Sequence, residues 1–193
     1  MLSIIIPTRE SERSLVRTLA VLVAGAAAGM VREVIVTDPR SADATAEIAD
    51  IAGCQILVSD APLAVRLREA AAGARSPWLM FLRSGTVLDA TWVDDTSRFI
   101  DEDERRDPDH ARAAVFRPAP AASAARPLMI EALWLMRLAL GARPRPEQGL
   151  IIAKHHYERI GGHRDNTAEP EADLMRRLGR RVVMLRSGAT ATT

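Results

Sequence analysis

The stretch Glu33-Val34-Ile35-Val36-Thr37-Asp38-Pro39-Arg40-Ser41-Ala42-Asp43-Ala44-Thr45 decides the fold. Glu33–Thr37 is apolar and β-branched at its centre and reads as a buried strand. Asp38-Pro39 ends it, and Asp43 opens a helix over Ala44–Ala52. Upstream, Leu2–Ile6 is a second buried strand closed by Pro7. Ser11 then caps a helix to about Ala24, with Leu15, Leu19 and Leu22 on one face and with Gly25 and Gly29 breaking it. Downstream come a strand over Gln55–Val58, a helix over about Ala61–Ala74, and a strand over Trp78–Leu82 that runs into Arg83-Ser84-Gly85. Strand–helix alternation at this spacing predicts an α/β fold: an open, mostly parallel, Rossmann-like sheet flanked by helices.

Beyond Leu88 the pattern loosens. Asp94 to about Ile100 reads as helix, and Asp101–His110 as a solvated charged loop rather than a metal-binding cluster. Ala113–Arg117 is a further strand and Pro118–Pro127 a connector. Leu128–Leu140 is an apolar helix ending near Gly141, followed by the broken Arg143-Pro144-Arg145-Pro146. A strand over Leu150–Ala153, a helix over Lys154–Ile160, the Gly161-Gly162 turn, a helix from Glu171 and a strand over Arg181–Leu185 complete the chain. The 193 residues fit one domain, with the regular alternation in residues 1–88 and the looser pattern in 89–193.

Composition removes several functions. Basic residues number 26 against 25 acidic, a net charge of +1, so there is no basic field for nucleic acid. Lys154 is the only lysine, so the positive charge is almost wholly arginine, which can grip a phosphate bidentately. Aromatics at 4% argue against base-stacking platforms. The single Cys54, in an apolar stretch, excludes an internal disulfide and reads as a small buried side chain. The N-terminus lacks a basic, cleavable leader, and no apolar run is long enough to span a bilayer; a cytoplasmic location is the expectation.

In an open parallel sheet, ligands bind beyond the carboxyl ends of the strands. Three such ends carry polar residues: Pro7-Thr8-Arg9-Glu10, Asp38-Pro39-Arg40-Ser41-Ala42-Asp43 and Arg83-Ser84-Gly85. The absence of Gly-x-Gly-x-x-Gly and of a Gly-rich Lys-Ser/Thr loop argues against dinucleotide and P-loop enzymes. Asp38 suits either a ribose or base hydroxyl, or a structural turn.

The order of these elements resembles the family 2 glycosyltransferases, from Met1 to about Leu185. Ser3-Ile4-Ile5-Ile6-Pro7-Thr8-Arg9-Glu10 is similar to the family's opening strand and Pro-x-x-Asn-Glu turn, with Arg9 at the Asn position. The stretch from Glu33 to Thr45 is similar to the second strand and its Asp-x-x-Ser-x-Asp-x-Thr turn. Trp78–Leu82 resembles the strand leading into the Asp-x-Asp metal motif. Glu147-Gln148-Gly149 and Ile160-Gly161-Gly162-His163 resemble segments of a small bacterial subgroup, and Glu171-Ala172-Asp173-Leu174-Met175-Arg176-Arg177-Leu178 resembles the helix bearing the general base. The resemblance implies a GT-A fold, with residues 1–88 as a nucleotide-binding half and 89–193 as an acceptor-side half, and inverting transfer of a sugar from a nucleotide-sugar donor, such as a UDP-sugar, to an acceptor hydroxyl. It implies Glu171 as general base, with Thr8, Glu10, Asp38, Glu147 and Gln148 around the substrates. Relatives continue beyond the position of Thr193, so the resemblance also implies a shortened C-terminus.

The departures matter equally. Arg83-Ser84-Gly85 stands where the family holds a divalent cation with aspartates, which puts Mn²⁺ or Mg²⁺ in doubt and leaves no metal ligands to assign. Pro62, Arg66 and Arg68 stand where the subgroup has Gly, Gln and Asn. One reading is a metal-independent transferase in which Arg83, with Arg66 or Arg68, meets the diphosphate. The other is a catalytically inactive GT-A domain that binds a nucleotide or a protein. A nucleotidyltransferase of related topology fits the Gly-Gly and base-helix segments less well. His155-His156 read as surface histidines, His163 as a partly buried turn residue, and Glu147-Gln148 as acceptor-facing or structural. The Leu128–Leu140 helix, with Trp134, reads as buried or covered by a partner, a homo-oligomer included, with peripheral membrane contact as the alternative.

Overall fold

The computed structural model describes residues 1–106, 111–119 and 145–192. The first half runs β1 (Leu2–Pro7), α1 (Glu12–Ala27), β2 (Val31–Asp38), α2 (Thr45–Ile51), β3 (Gln55–Val58), α3 (Leu63–Gly73), β4 (Trp78–Phe81) and β5 (Thr86–Leu88). The second runs α4 (Trp92–Glu104), β6 (Ala113–Pro118), β7 (Leu150–Ala153), α5 (Lys154–Arg159), α6 (Pro170–Leu178) and β8 (Val182–Ala191). The described strands make one sheet in the order β3-β2-β1-β4-β7-β6-β8-β5.

Strand β1 shows why the sheet must be covered twice. Successive side chains of a strand point to opposite faces. Leu2, Ile4 and Ile6 pack with Leu15, Leu22, Val36, Met80 and Trp92 on the side of α1 and α4. Ile5 packs with Ile35, Leu67, Leu79, Phe81 and Leu174 on the side of α3 and α6. The one polar member, Ser3, is buried and donates to Glu33 Oε1 at 2.6 Å. Glu33 also accepts from the Arg75 backbone N–H at 2.7 Å and from Arg75 Nε at 2.8 Å. Burial alone would raise the Glu33 carboxyl, but these donors hold it below its ordinary value.

The expected parallel half is present: β1 pairs parallel with β2 and β4, and β2 with β3. The other half is mixed. β7 runs antiparallel to β4 and β6, β8 is parallel to β6, and β5 is antiparallel to β8. Strand β5, which the sequence pattern does not announce, lies at the far edge although it follows β4 closely. The sheet curls to allow this, and β8 extends to Ala191, well past the expected Leu185, to pair Ala191 with Thr86.

Two further expectations are corrected. The charged segment from Asp101 continues α4 through Glu104 instead of forming a loop, because its acids have partners on other elements. Asp103 accepts from the Arg112 backbone and Nε at 3.2 Å, and Glu104 accepts from Trp78 Nε1 at 2.9 Å. Residues 107–110, the remainder of that stretch, lie outside the described residues, as do the Leu128–Leu140 helix and Trp134. Among the described residues no helix is long and apolar enough to cross a membrane.

Gly25 does not break α1; it lies inside it, against Trp92. A Cβ there would come 2.4 Å from Trp92 Cη2 and 2.8 Å from Val31 Cγ2. The glycine is thus present for close approach, at a helix-propensity cost of about 1 kcal/mol relative to alanine. Gly25→Ala will destabilise the protein by about 1–3 kcal/mol through overpacking, opposite in sign to the propensity gain. Urea denaturation of both proteins checks the sign.

Candidate functional site

Neighbouring strands lie about 5 Å apart, so the carboxyl ends of β2, β1 and β4 bring three polar turns within about 10 Å of one another. At the first two, Asp38 is the organising group. Its Oδ2 accepts from Thr8 Oγ1 and from Ser41 Oγ, each at 2.7 Å, and its Oδ1 accepts from the Ser41 backbone. Asp38 is only 1% exposed. Burial pushes its carboxyl up, but the Thr8 and Ser41 donors and the nearby Arg66 cation outweigh that and hold it below the ordinary carboxylate range. The two turns are then laced together. Ser41 Oγ accepts from the Glu10 N–H at 2.8 Å, while Glu10 Oε1 accepts from the Ala42 N–H at 2.8 Å. Glu10 and Arg40 both adopt positive φ, 47° and 63°, a conformation that non-glycine residues hold only when their surroundings impose it.

The expected Ser11 cap is absent. The Ser11 hydroxyl donates instead to the Arg9 carbonyl at 3.0 Å, and Asp43, from the neighbouring turn, accepts the Glu12 N–H at 3.0 Å. Asp43 also accepts the Thr45 N–H at 3.1 Å. The Asp-x-Thr segment therefore ties the starts of α1 and α2 together.

At the end of β4, Arg83 joins two segments distant in sequence. Its Nε lies 3.0 Å from Glu171 Oε2 and 3.2 Å from Glu171 Oε1, and its Nη2 also donates to Glu171. Its Nη1 donates to Glu147 Oε1 at 3.0 Å. Hydrogen bonding to Glu171 holds the guanidinium above its ordinary value against the cost of burial, with the charges of Glu171, Glu147 and Glu169 assisting. The Glu171 side chain is 11% exposed, against 41% for Arg83. Below Arg83 the loop is pinned. Ser84 Oγ lies 2.7 Å from Ser14 Oγ, the Gly85 N–H donates to Thr18 Oγ1 at 2.9 Å, and the Gly85 carbonyl accepts from the Thr192 N–H at 2.9 Å.

Other candidates fall elsewhere. Arg66 is buried beside Asp38 and donates from Nη1 to the Thr37 carbonyl at 2.7 Å, so it supports the β2 turn. Arg68 reaches neither Arg83 nor that turn; it donates to the His163 carbonyl at 2.6 Å and pairs with Asp165. Gln148 is buried, donating to the Phe116 carbonyl at 2.8 Å and accepting from the Arg145 N–H at 2.7 Å, so it builds the turn rather than facing outward. His155 is exposed, but His156 is buried at 1% exposure with neither ring nitrogen hydrogen-bonded, a correction to the surface reading. His163 is fully buried, its Nδ1 2.8 Å from the Tyr157 hydroxyl. Cys54 is half-buried, and burial pushes its thiol up. Sequence reasoning missed Tyr157, Ser14, Thr18 and Thr192. No local signal marks them, because most act on residues far away along the chain.

No family model matches the chain, and no curated protein matches it. Solved structures do. TarS 1-349 of S. aureus superposes with a TM-score of 0.73 at 16% identity, over 99% of this chain and 60% of that one. This is the GT-A fold. The mannosyltransferase PcManGT of Pyrobaculum calidifontis, in complex with GDP-Man and Mn²⁺, gives 0.70 at 14% identity, over 96% and 56% of the two chains. Glucosyl-3-phosphoglycerate synthase of Mycobacterium tuberculosis, in complex with Mn²⁺ and UDP, gives 0.64 at 16% identity, over 100% and 72%. The chain spans about 60% of the TarS fragment's length.

Two of these GT-A structures hold Mn²⁺, and the loop after β4 in this chain does not fit a cation held by aspartates. A Cβ on Gly85 would lie 2.5 Å from the Thr192 carbonyl oxygen, and Gly85 has φ +89°, so no side chain fits there. Ser84 is engaged with Ser14, and Arg83 brings its own positive charge between the carboxylates.

The buried His163–Tyr157 pair sets a pH dependence. Burial, with Arg177 and Arg68 nearby, pushes His163 down to about 3, while burial pushes Tyr157 up to about 12. The unfolded His163 takes up a proton below about pH 6.5 and the folded one does not, so stability falls as pH drops from about 6.5 toward 3. Between pH 7 and pH 5 this single group will remove about 2 kcal/mol. His163→Gln will flatten that part of the slope, as read by urea unfolding at the two pH values.

Proposed function

We propose that this GT-A domain binds a nucleotide diphosphate-sugar across the ends of β2, β1 and β4 and transfers its sugar, with inversion, to an acceptor hydroxyl without a divalent cation. The observation that carries this reading is the placement of Arg83 on Glu171 at the β4 end: a fixed positive charge and a carboxylate, side by side. The β2 turn around Asp38, Thr8, Ser41 and Glu10 receives the nucleoside, within residues 1–88, and residues 89–193 supply the acceptor side. The complexes of similar fold with UDP-GlcNAc and with GDP-Man support a nucleoside diphosphate donor.

In this mechanism the acceptor oxygen attacks the anomeric carbon from the face opposite the leaving group. Glu171 accepts the hydroxyl proton as the new C–O bond forms, help typically worth about 10²–10⁴-fold. The old C–O bond breaks with its electron pair on the departing diphosphate. Arg83 meets that charge through N–H donors whose planar fork matches phosphate oxygens.

A second reading, a binding module without turnover, has one specific observation in its favour: Glu171 spends its oxygens on Arg83 and is nearly covered. Calorimetry with UDP and GDP, in EDTA and with Mn²⁺, separates these readings when combined with a donor-turnover assay. The transferase reading expects equal binding in both buffers, about 10-fold or greater loss of affinity in Arg83→Ala, and at least about 100-fold loss of turnover in Glu171→Gln. Binding without turnover across UDP- and GDP-sugars selects the module. Mn²⁺-dependent turnover that survives Arg83→Ala overturns the arginine assignment.

A further inference from the structure

We propose that Arg83 is an exchangeable internal cation: an arriving diphosphate takes the guanidinium edge from Glu171, so donor binding itself uncovers the general base. The proposal rests on the donor reading above.

The geometry sorts what is fixed from what can move. The backbone around Arg83 is held on three sides, by Ser14 and Thr18 of α1 and by Thr192 after β8. The Arg83 side chain is long, rotamer-rich and 41% exposed, so the diphosphate can reach it while the loop stays in place. Its Nε and Nη2 edge faces Glu171, while Nη1 faces Glu147. Glu147 can therefore keep one end of the guanidinium while the other edge turns, which makes Glu147 a positioning residue.

Charge supplies the reason for the exchange. Glu147, Glu169 and Glu171 all act on one arginine, so negative charge exceeds positive immediately around the guanidinium. A diphosphate entering without a cation is repelled unless the guanidinium turns toward it. The Arg83 side of the pair opens to solvent while Glu171 is nearly covered, so a second anion with good bidentate geometry on the open side can displace the first reversibly. The displaced Glu171 then has free oxygen lone pairs for an acceptor proton. Ligand binding shifts a two-state side chain by its differential affinity, with no need for a moving domain.

The test is a double-mutant cycle on nucleotide affinity, by calorimetry with UDP and GDP in EDTA, using the full chain. Glu171→Gln removes the competitor and will tighten binding about 10-fold, a gain that damage to the fold would not give. Glu169→Gln removes a nearby charge that acts on Arg83 through space, and will change affinity by less than about 3-fold. In an Arg83→Ala background the gain from Glu171→Gln will vanish. If Arg83→Ala does not fold, as judged by circular dichroism, Arg83→Gln serves in its place. Equal tightening with and without the arginine means simple charge removal and overturns the exchange, as does a Glu171→Gln effect no larger than that of Glu169→Gln; diphosphate binding then still stands. No binding of UDP or GDP by any variant overturns the donor reading, and the exchange with it.

Discussion

Strand β1 buries alternate residues in opposite cores, Ile4 and Ile6 with α1 and α4, and Ile5 with α3 and α6. Both faces are covered, and β1 is interior because its backbone pairs in parallel with β2 on one side and β4 on the other. A shift by one residue would exchange the two faces, so the register is strongly specified. That register aligns Thr8, Asp38 and Arg83 at one edge of the sheet. The clustering of these polar side chains is a consequence of this alignment more than of any local motif.

The charges at that edge are treated in two ways. Asp38 is buried and saturated by Thr8 and Ser41, so its carboxylate shapes the turn after β2. Its counterpart at the opposite end of β2, Glu33, is likewise consumed by Ser3 and Arg75. Breaking such buried contacts would leave an uncompensated charge in a poorly solvated place. Arg83 and Glu147 are half-exposed instead, while Glu171 is nearly covered. At the Arg83–Glu147 contact water moderates the cost of separation.

The repetitive part of the fold was legible residue by residue. β1, α2, β3, β4, β7 and α5 fall where apolar runs, prolines and turn residues place them, because those signals act over a few positions. The misreadings share one cause. Gly25 reads locally as a helix breaker because Trp92, which requires it, is distant in sequence, and the acids beyond Asp101 read as loop because Arg112 and Trp78, which meet Asp103 and Glu104, lie outside the helix. β5 carries no local signal, since its pairing partner is about a hundred residues away in β8. Motif position puts Arg68 and Gln148 among substrate contacts, but their donors go to the His163 and Phe116 carbonyls.

The sequence by itself determined the α/β class, the parallel half of the sheet, the three polar strand ends, and the identity of the Arg83-Ser84-Gly85 segment that follows β4. These depend on local periodicity, turn chemistry and residue identity. Only the tertiary structure decided what surrounds that segment. It brought Glu147 and Glu171 onto opposite edges of one guanidinium and placed Thr192 where a side chain at position 85 would have to be. Those contacts join residues 64 to 107 positions apart. They are fixed by how the sheet curls, which no short-range pattern encodes.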